Sequence, residues 1–482
     1  MKDFKNFFTK ILFDIAYKFP FVFPKWIRYY SSEYHSNSDY VKEAKVRSCE
    51  TKRASLFDYP AYWKAISFSF TLNKEELTKL KRWRKKVSLN NYNDFIYDKI
   101  DYTSFDRSKG YMHIGRIGIN KEDITDEISP IYLKSNYLDS IFITLSKYGA
   151  GLSVITFYFY LNKEASNMIN SISIPNMEYF VRLDSLNLFS RKNRSVCLTD
   201  KESFAKDCIK KNMMEVAKEG WDLLTVITSN MGIKKRRDDI YCVNDMYLDQ
   251  NEPYFVKVAS NNTSGESILI PRYHHFLDVG LSDNNDEHFI IDNHFNIDLV
   301  DMTYMKVCPE STFTEHNNFR FRYCANYESH LAITPVLLII KRIDALNDLI
   351  DNAKLYNKNI SMGKLHSSLF HVLHDIQMIS GWLSTLKKDI PYSLLAGYYE
   401  ISKRIIERQV DRVNELQLTV KTFYGLSENR IQVSNIRYNK IYSLVVFIFV
   451  IIQVLLAAMT IDWQKKGVWY TPLIEYLKGI FN

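Results

Sequence analysis

The stretch from Ile441 to Ile461 constrains this chain most, because none of its 21 residues carries a charge. A helix of that length covers about 30 Å, which is the thickness of a bilayer's hydrocarbon core. Aromatic residues flank both ends, as they do at membrane interfaces. They are Tyr438 and Tyr442 on one side and Trp463, Trp469 and Tyr470 on the other. A buried core helix is the alternative, but it needs a shorter apolar run. We predict a transmembrane helix over 441–461 and a short interfacial tail over 462–482.

The remaining sequence predicts on which side of the membrane the bulk of the chain lies. The apolar residues near the start are interrupted by Lys10, Asp14 and Lys18, which is atypical of a secretory signal. The six cysteines have no paired spacing, as expected for reduced thiols in a cytosol. We therefore expect a single-pass protein of the cell inner membrane, with residues 1–440 in the cytoplasm.

The net charge of +8 is concentrated in the N-terminal fifth. Residues 1–100 contain 20 Lys/Arg against 11 Asp/Glu, whereas the rest of the chain is almost neutral. Residues 1–30 begin with an amphipathic pattern, in which one helical face carries Phe4, Phe7, Phe8, Ile11, Leu12 and Ile15. Such a face is typical of an interfacial membrane helix. It is equally typical of a helix that packs on the protein's own core.

A second basic segment surrounds a tryptophan and could bind a small anionic or nucleotide ligand. Its residues are Lys79, Lys81, Arg82, Trp83, Arg84, Lys85 and Lys86. Cations hold phosphates and an indole stacks on a base, although a solvated helix face has the same composition. Sequence-specific nucleic-acid binding is not expected, because no recognition motif follows and the chain beyond residue 100 is neutral.

Residues 55–335 have the pattern of an α+β domain with an antiparallel or mixed sheet. Ile66, Phe68, Phe70 and Leu72 alternate with other residues as in a strand, and residues 141–161 form a hairpin pattern around glycines. Further short strands are predicted at Leu223–Thr228, Tyr254–Val258, Ser267–Ile270 and Phe289–Ile291. Helices are predicted at Lys74–Lys86 and Lys201–Lys218.

Residues 336–440 have helical periodicity throughout. Helices are predicted over Val336–Asn357 and Leu365–Lys388, followed by a third that starts after Pro391 and runs to residue 461. Gly425 and Ser427 offer a point where this third helix could break. The predicted fold is therefore an α+β cytoplasmic domain, then an all-α helical stalk of coiled-coil character, then a C-terminal transmembrane helix.

This layout resembles the CorA-type divalent-cation channels over roughly residues 140–461. The resemblance implies an oligomer whose stalks form a funnel and whose spans line an ion pathway. The Gly-Met-Asn signature of that family is absent, because Thr460-Ile-Asp-Trp-Gln-Lys-Lys-Gly467 occupies its place, and a second span is absent as well. The enlarged cytoplasmic region is similar to that of CorA-like membrane effectors in bacterial antiviral defence.

Within the span, the smaller and more polar residues recur at a spacing of four and three. They are Val446, Val450, Gln453, Ala457 and Thr460. A glutamine at mid-bilayer is costly unless it has a hydrogen-bond partner, and a copy of itself in another subunit is a natural one. We expect helix–helix association through this stripe and a homo-oligomer; a glutamine that faces lipid is the alternative.

Motifs for catalysis are weak. His371, His374 and Asp375 lie near one helical face, as a metal-ligand set requires. They resemble the His-Asp core of metal-dependent phosphohydrolases, which implies a possible divalent cation and a need for further ligands, for which His366 and Asp411 are loose candidates. The neighbouring residues also resemble the phosphoacceptor helix of histidine kinases. A helix face with satisfied histidines is the simpler interpretation, and we assign no catalytic residue.

The expected function is that of an oligomeric membrane effector or ion channel whose cytoplasmic domain senses a ligand or partner. The alternatives are a membrane-tethered metal-dependent phosphohydrolase and a non-catalytic membrane scaffold.

Overall fold

The structure is a computed structural model of the 482-residue chain. It describes residues 2–47, 53–55, 61–87, 105, 107, 109–120, 128, 133–175, 179–183, 196–248, 255–257, 267–269, 275–280, 288–292, 298–307, 327–354, 362–390, 396–460 and 469–481. These residues divide into two compact units, residues 1–345 with 379–412, and residues 346–378 with 413–482.

The described residues contain ten α-helices and fourteen strands. The helices are α1 Lys2–Lys18, α2 Lys25–Arg47, α3 Lys74–Val87, α4 Lys163–Asn170, α5 Lys201–Asn230, α6 Tyr327–Ala332, α7 Thr334–Lys354, α8 Met362–Asp389, α9 Ala396–Thr460 and α10 Thr471–Phe481. The strands are β1 Arg53–Ser55, β2 Tyr62–Thr71, β3 Gly110–Gly118, β4 Leu138–Tyr148, β5 Leu152–Leu161, β6 Ser173–Pro175, β7 Tyr179–Leu183, β8 Val196–Asp200, β9 Tyr241–Leu248, β10 Phe255–Lys257, β11 Ser267–Leu269, β12 His275–Gly280, β13 His288–Asp292 and β14 Met302–Val307.

The first unit is built around an eight-stranded mixed sheet in the order β12-β13-β14-β9-β2-β5-β4-β3. The β14–β9 pair is parallel, and the other pairs are antiparallel. The predicted strand around Phe68 is β2, and the predicted hairpin is β4–β5. Gly151 has φ 76° in the hairpin turn, a left-handed conformation that glycine adopts without strain. The prediction of an α+β region with a mixed sheet is confirmed.

One face of the sheet is apolar and is covered by α3, α4 and α5. Phe68, Phe157 and Phe159 are fully buried there, and Trp221 of α5 meets Phe68 edge to face at 5.0 Å. Buried phenylalanines in such edge-to-face contacts account for much of the packing. This face forms the main hydrophobic core.

The predicted strand at Leu223–Thr228 is wrong, because these residues form the last turns of α5. Their alternation is short, whereas a longer helical repeat extends through them. Met213, Val216, Leu224 and Ile227 of α5 are all buried against the sheet. Tertiary packing of this stripe outweighs the local strand pattern.

The second face of the sheet carries small polar and aromatic side chains, and the helices of the C-terminal half cover it within the first unit. Tyr148 of β4 donates a hydrogen bond to the Leu331 carbonyl at 2.8 Å. Lys341 of α7 binds Asp301 at 2.8 Å and donates to the Ile240 carbonyl at 2.6 Å. These bonds attach α6 and α7 to the sheet.

The second unit is helical and combines the end of α7, the start of α8 and most of α9. Its interior includes Leu346, Ile350, Leu369, Ile376 and Val420, all of which are buried. His366 of α8 stacks on Tyr424 of α9 at 4.3 Å, and its Nδ1 lies 3.0 Å from Ser427 Oγ. Ser427 therefore takes part in helix packing.

Candidate functional site: the exposed C-terminal helix and a buried polar network

The helix α9 is continuous from Ala396 to Thr460, over 65 residues. The prediction of one uninterrupted helix is confirmed over this range, and neither Gly425 nor Ser427 breaks it. Such a helix is about 98 Å long. Among the described residues it is the one helix long and apolar enough to cross a membrane, and its apolar window is not buried in the structure. Residue 461 and the next seven lie outside the described residues, and α10 follows them.

Every residue of the predicted span stripe is exposed on α9. The stripe of Val446, Val450, Gln453, Ala457 and Thr460 shares this exposure with the bulky residues around it. Thr460 Oγ1 donates to the Ala457 carbonyl at 2.8 Å, as hydroxyls on a membrane helix do. The oligomerisation of this stripe stays a prediction.

The same spacing of four and three continues towards the N-terminus of α9. Gln432, Ile436, Asn439 and Ser443 precede Val446 in that repeat, and all four are exposed. A repeat of 3.5 residues keeps one side of a helix facing a partner in a left-handed bundle. The stripe therefore extends over about eight turns, and it contains three side-chain amides, two hydroxyls and no charge.

The first turns of α9 are buried in the first unit, which we call the sheet domain. Tyr398 contacts Phe289 of β13 edge to face at 5.1 Å. Ser402 donates to the Ala332 carbonyl at the end of α6, at 2.8 Å. One helix thus begins in the interior of the first unit and ends in the exposed apolar segment.

A buried polar network lies beside that start, on the second face of the sheet. Asp245 of β9 accepts a hydrogen bond from Ser67 Oγ at 2.5 Å and lies 3.0 Å from His330 Nε2. His330 Nδ1 is 3.0 Å from Thr334 Oγ1, which in turn is 3.0 Å from the Tyr304 hydroxyl. The side chains of Asp245 and His330 are each 1% exposed.

Aromatic rings enclose this network. Tyr158 meets the His330 ring edge to face at 5.0 Å, and Tyr304 lies at 5.2 Å. Burial raises the pKa of the Tyr158 and Tyr304 phenols well above the ordinary value, so both stay neutral. The order of Asp245, His330 and Thr334 is that of an acid–base–hydroxyl set. Because all three are buried, the arrangement joins the sheet to α6 and α7 and presents no hydroxyl to solvent.

Sequence reasoning missed this network. Asp245 and His330 are separated by 85 residues and belong to no motif. An Asn-Asp pair inside an otherwise apolar strand pattern at Val243–Met246 was the one available signal.

The structure divides the predicted anionic-ligand segment on α3 into buried and exposed parts. Trp83 is 6% exposed and belongs to the core, and Arg84 is 2% exposed with its Nε donating to the Ile114 carbonyl. The indole is therefore not presented to a ligand. Lys79 pairs with Glu75 at 2.7 Å and thereby lowers the pKa of that carboxyl. Anion binding by the other cations, Lys81, Arg82, Lys85 and Lys86, stays a prediction.

The predicted metal ligands lie on α8. His371 is exposed, the side chain of His374 is 72% exposed, and its Nδ1 lies 3.8 Å from Asp375 Oδ1. In the part of the chain that the structure describes, no group of three His, Cys, Asp or Glu side chains is arranged to hold a metal.

No family model, curated protein or solved structure matches this chain.

Proposed function

We propose that this protein is an oligomeric membrane effector with channel-like activity. Its sheet domain senses a ligand or partner, α9 acts as a stalk, and the spans of several copies associate in the cell inner membrane. The observation that carries the proposal is that α9 begins among the buried residues of the sheet domain and ends as an exposed apolar segment.

Helix stiffness supports the transmission step. An α-helix without a proline or a bulge moves largely as one body, and α9 contains no proline. The contacts of Tyr398 and Ser402 tie its first turns to β13 and α6. A change of the sheet domain that displaces these turns would therefore move the stalk.

The stripe on α9 supports assembly and conduction. Amide and hydroxyl side chains such as Gln432, Asn439, Ser443 and Gln453 find partners in another copy or line a water-filled path. Large apolar residues, including Phe447, Phe449 and Leu455, lie on the other sides and suit contact with lipid. A repeat that is polar on one side and apolar on the others is typical of a bundle of like helices.

The test is ion flux from liposomes that contain the full-length protein, with and without candidate nucleotides. Ala457→Phe places a bulky ring on the stripe and should abolish flux. Leu455→Phe adds a ring of the same size off the stripe and should leave flux within about twofold of wild type, because lipid-facing positions tolerate apolar changes. Equal effects of the two variants, or no flux from wild type under any ligand, would count against the proposal.

A further inference from the structure

The N-terminal helical hairpin has an apolar surface that its own packing does not use. The helices α1 and α2 meet through Phe13, Ala16 and Ile27, which are all buried, and Ser31 Oγ donates to the Phe13 carbonyl at 2.6 Å. Phe13 also contacts Tyr34 with ring centroids 5.7 Å apart. These contacts account for the association of the two helices.

A different set of apolar side chains is exposed on the hairpin. Ile11 and Ile15 lie one turn apart on the side of α1 roughly opposite to Phe13. The connection to α2 continues the surface: Phe19 is 60% exposed, Phe21 95% and Val22 76%. We call these five residues the hairpin surface. Isolated exposed apolar residues are ordinary, whereas a contiguous group marks an interaction site. At Ile11 and Ile15, the predicted amphipathic face of α1 therefore does not pack on a core within the part of the chain that the structure describes.

Charge identifies the partner. Lys10, Lys18, Lys25 and Arg28 flank the hairpin surface along the sequence and are all exposed. The exposed acid on this part of α1 is Asp14, which lies 3.3 Å from His35. Aliphatic stems of lysine and arginine lie along apolar surface while their charges reach phosphate groups. Exposed tyrosines at positions 17 and 29 add the side chains that favour the headgroup region.

We infer that the hairpin surface docks on an anionic lipid bilayer. Phe19, Phe21 and Val22 enter the boundary between headgroups and acyl chains, and the four cations bind lipid phosphates. This is a second membrane contact, separate from the C-terminal helix, and it does not require that helix to form a pore. Phenylalanine at a tip with flanking lysines is the composition that such interfacial contacts use.

The experiment uses the full-length protein in vesicles, with Phe21 replaced by the photo-cross-linker p-benzoyl-phenylalanine. The matched control has the same substitution at Asp238. Phe21 is exposed on the 3-10 turn Pro20–Val22, and Asp238 is exposed on a 3-10 turn of the same length, Arg237–Asp239. Mass spectrometry after irradiation should find lipid adducts at position 21 and few at position 238. Vesicles containing phosphatidylglycerol should give more adducts than phosphatidylcholine alone. A background with Lys18→Glu and Lys25→Glu should reduce the yield at least about threefold, because each cation near an anionic surface contributes.

Three results would overturn the inference. The first is an equal yield of lipid adducts at positions 21 and 238, and the second is a yield at position 21 that does not depend on phosphatidylglycerol. The third is adducts that join two protein chains, which would make the hairpin surface a contact between copies. None of them bears on the flux test, so the two proposals fail separately.

Discussion

Replacing Asp245 by alanine tests whether the buried polar network holds the sheet domain together. The Asp245 carboxylate has two partners, Ser67 Oγ at 2.5 Å and His330 Nε2 at 3.0 Å. Ser67 is fully buried and His330 is 3% exposed, so water does not replace the lost oxygen atoms. Asp245→Ala therefore leaves a hydroxyl and an imidazole nitrogen buried without the partner that each now has.

The magnitude follows from these two groups. Each buried polar group that loses its partner costs about 1–3 kcal/mol, which gives about 2–6 kcal/mol for the two groups together. Breaking a buried pair by removing one member costs about 3–5 kcal/mol, which agrees. Asp245→Asn keeps the shape and one oxygen acceptor, so we expect it to cost about half as much as Asp245→Ala. Asp238→Ala, at an exposed carboxylate, should change stability by less than about 0.5 kcal/mol.

Thermal unfolding of the full-length protein in detergent, followed by tryptophan fluorescence, measures the effect. Trp63 and Trp221 lie in or against the core of the sheet domain and report its unfolding. The expected decrease in Tm is about 2–8 °C for Asp245→Ala, because an unfolding entropy of about 2.1 cal/mol/K per residue makes each kcal/mol worth only slightly more than about 1 °C in a unit of this size. His330→Leu should destabilise the Asp245→Ala variant less than it destabilises the wild-type protein, because the partner of His330 is already absent in that variant. A Tm equal to that of Asp238→Ala, or strictly additive losses in the double variant, would refute this account of the network.

Three further results are expected. Arg84→Leu should destabilise the protein by about 2–4 kcal/mol in the same assay, because it removes a buried cation bonded to the Ile114 carbonyl. Arg82→Leu, at an exposed position of the same helix, should change stability by less than about 0.5 kcal/mol. Similar losses for the two variants would contradict the division of the α3 segment into buried and exposed parts. Gln453→Leu should remove an interhelical hydrogen bond worth about 0.5–2 kcal/mol per contact, and so reduce cross-linking between copies in native membranes without impairing insertion. Unchanged cross-linking would place the glutamine towards lipid. Burial raises the pKa of the Cys242 thiol well above its usual range. Iodoacetamide should therefore modify Cys242 more slowly than Cys208, which is half-buried, and peptide mass spectrometry would measure both rates. Faster reaction at Cys242 would contradict its burial.

Long or strongly periodic segments were predictable from sequence. The alternation around Phe68 produces β2, and the run that ends at Thr460 produces one continuous helix. Such patterns are repeated over enough residues that the local signal decides the structure. The shorter pattern at Leu223–Thr228 failed because six residues contain too little of either period, and the stripe of α5 continues through them.

The candidate site was predictable only in part. The span stripe was read from residue spacing, and its part in assembly stays a prediction, because nearly the whole apolar segment of α9 is exposed and exposure does not distinguish the stripe. The burial of Trp83 and Arg84 could not be predicted from sequence, because a basic helix has the same composition whether its tryptophan faces solvent or a sheet. Amphipathicity of α1 was likewise visible, but which apolar residues meet α2 depends on how the two helices pack.

By itself, the sequence determined where a membrane helix can lie, because bilayer thickness fixes the length and apolarity that a span requires. It also determined the principal strands and helices through their periodicity. Only the tertiary structure decided that Asp245 meets His330 across 85 residues, that Phe13 is buried while Phe21 is exposed, and that α9 starts among the buried residues of the sheet domain. The physical reason is that these contacts join segments far apart in the chain, and neither composition nor local spacing specifies which surfaces will meet.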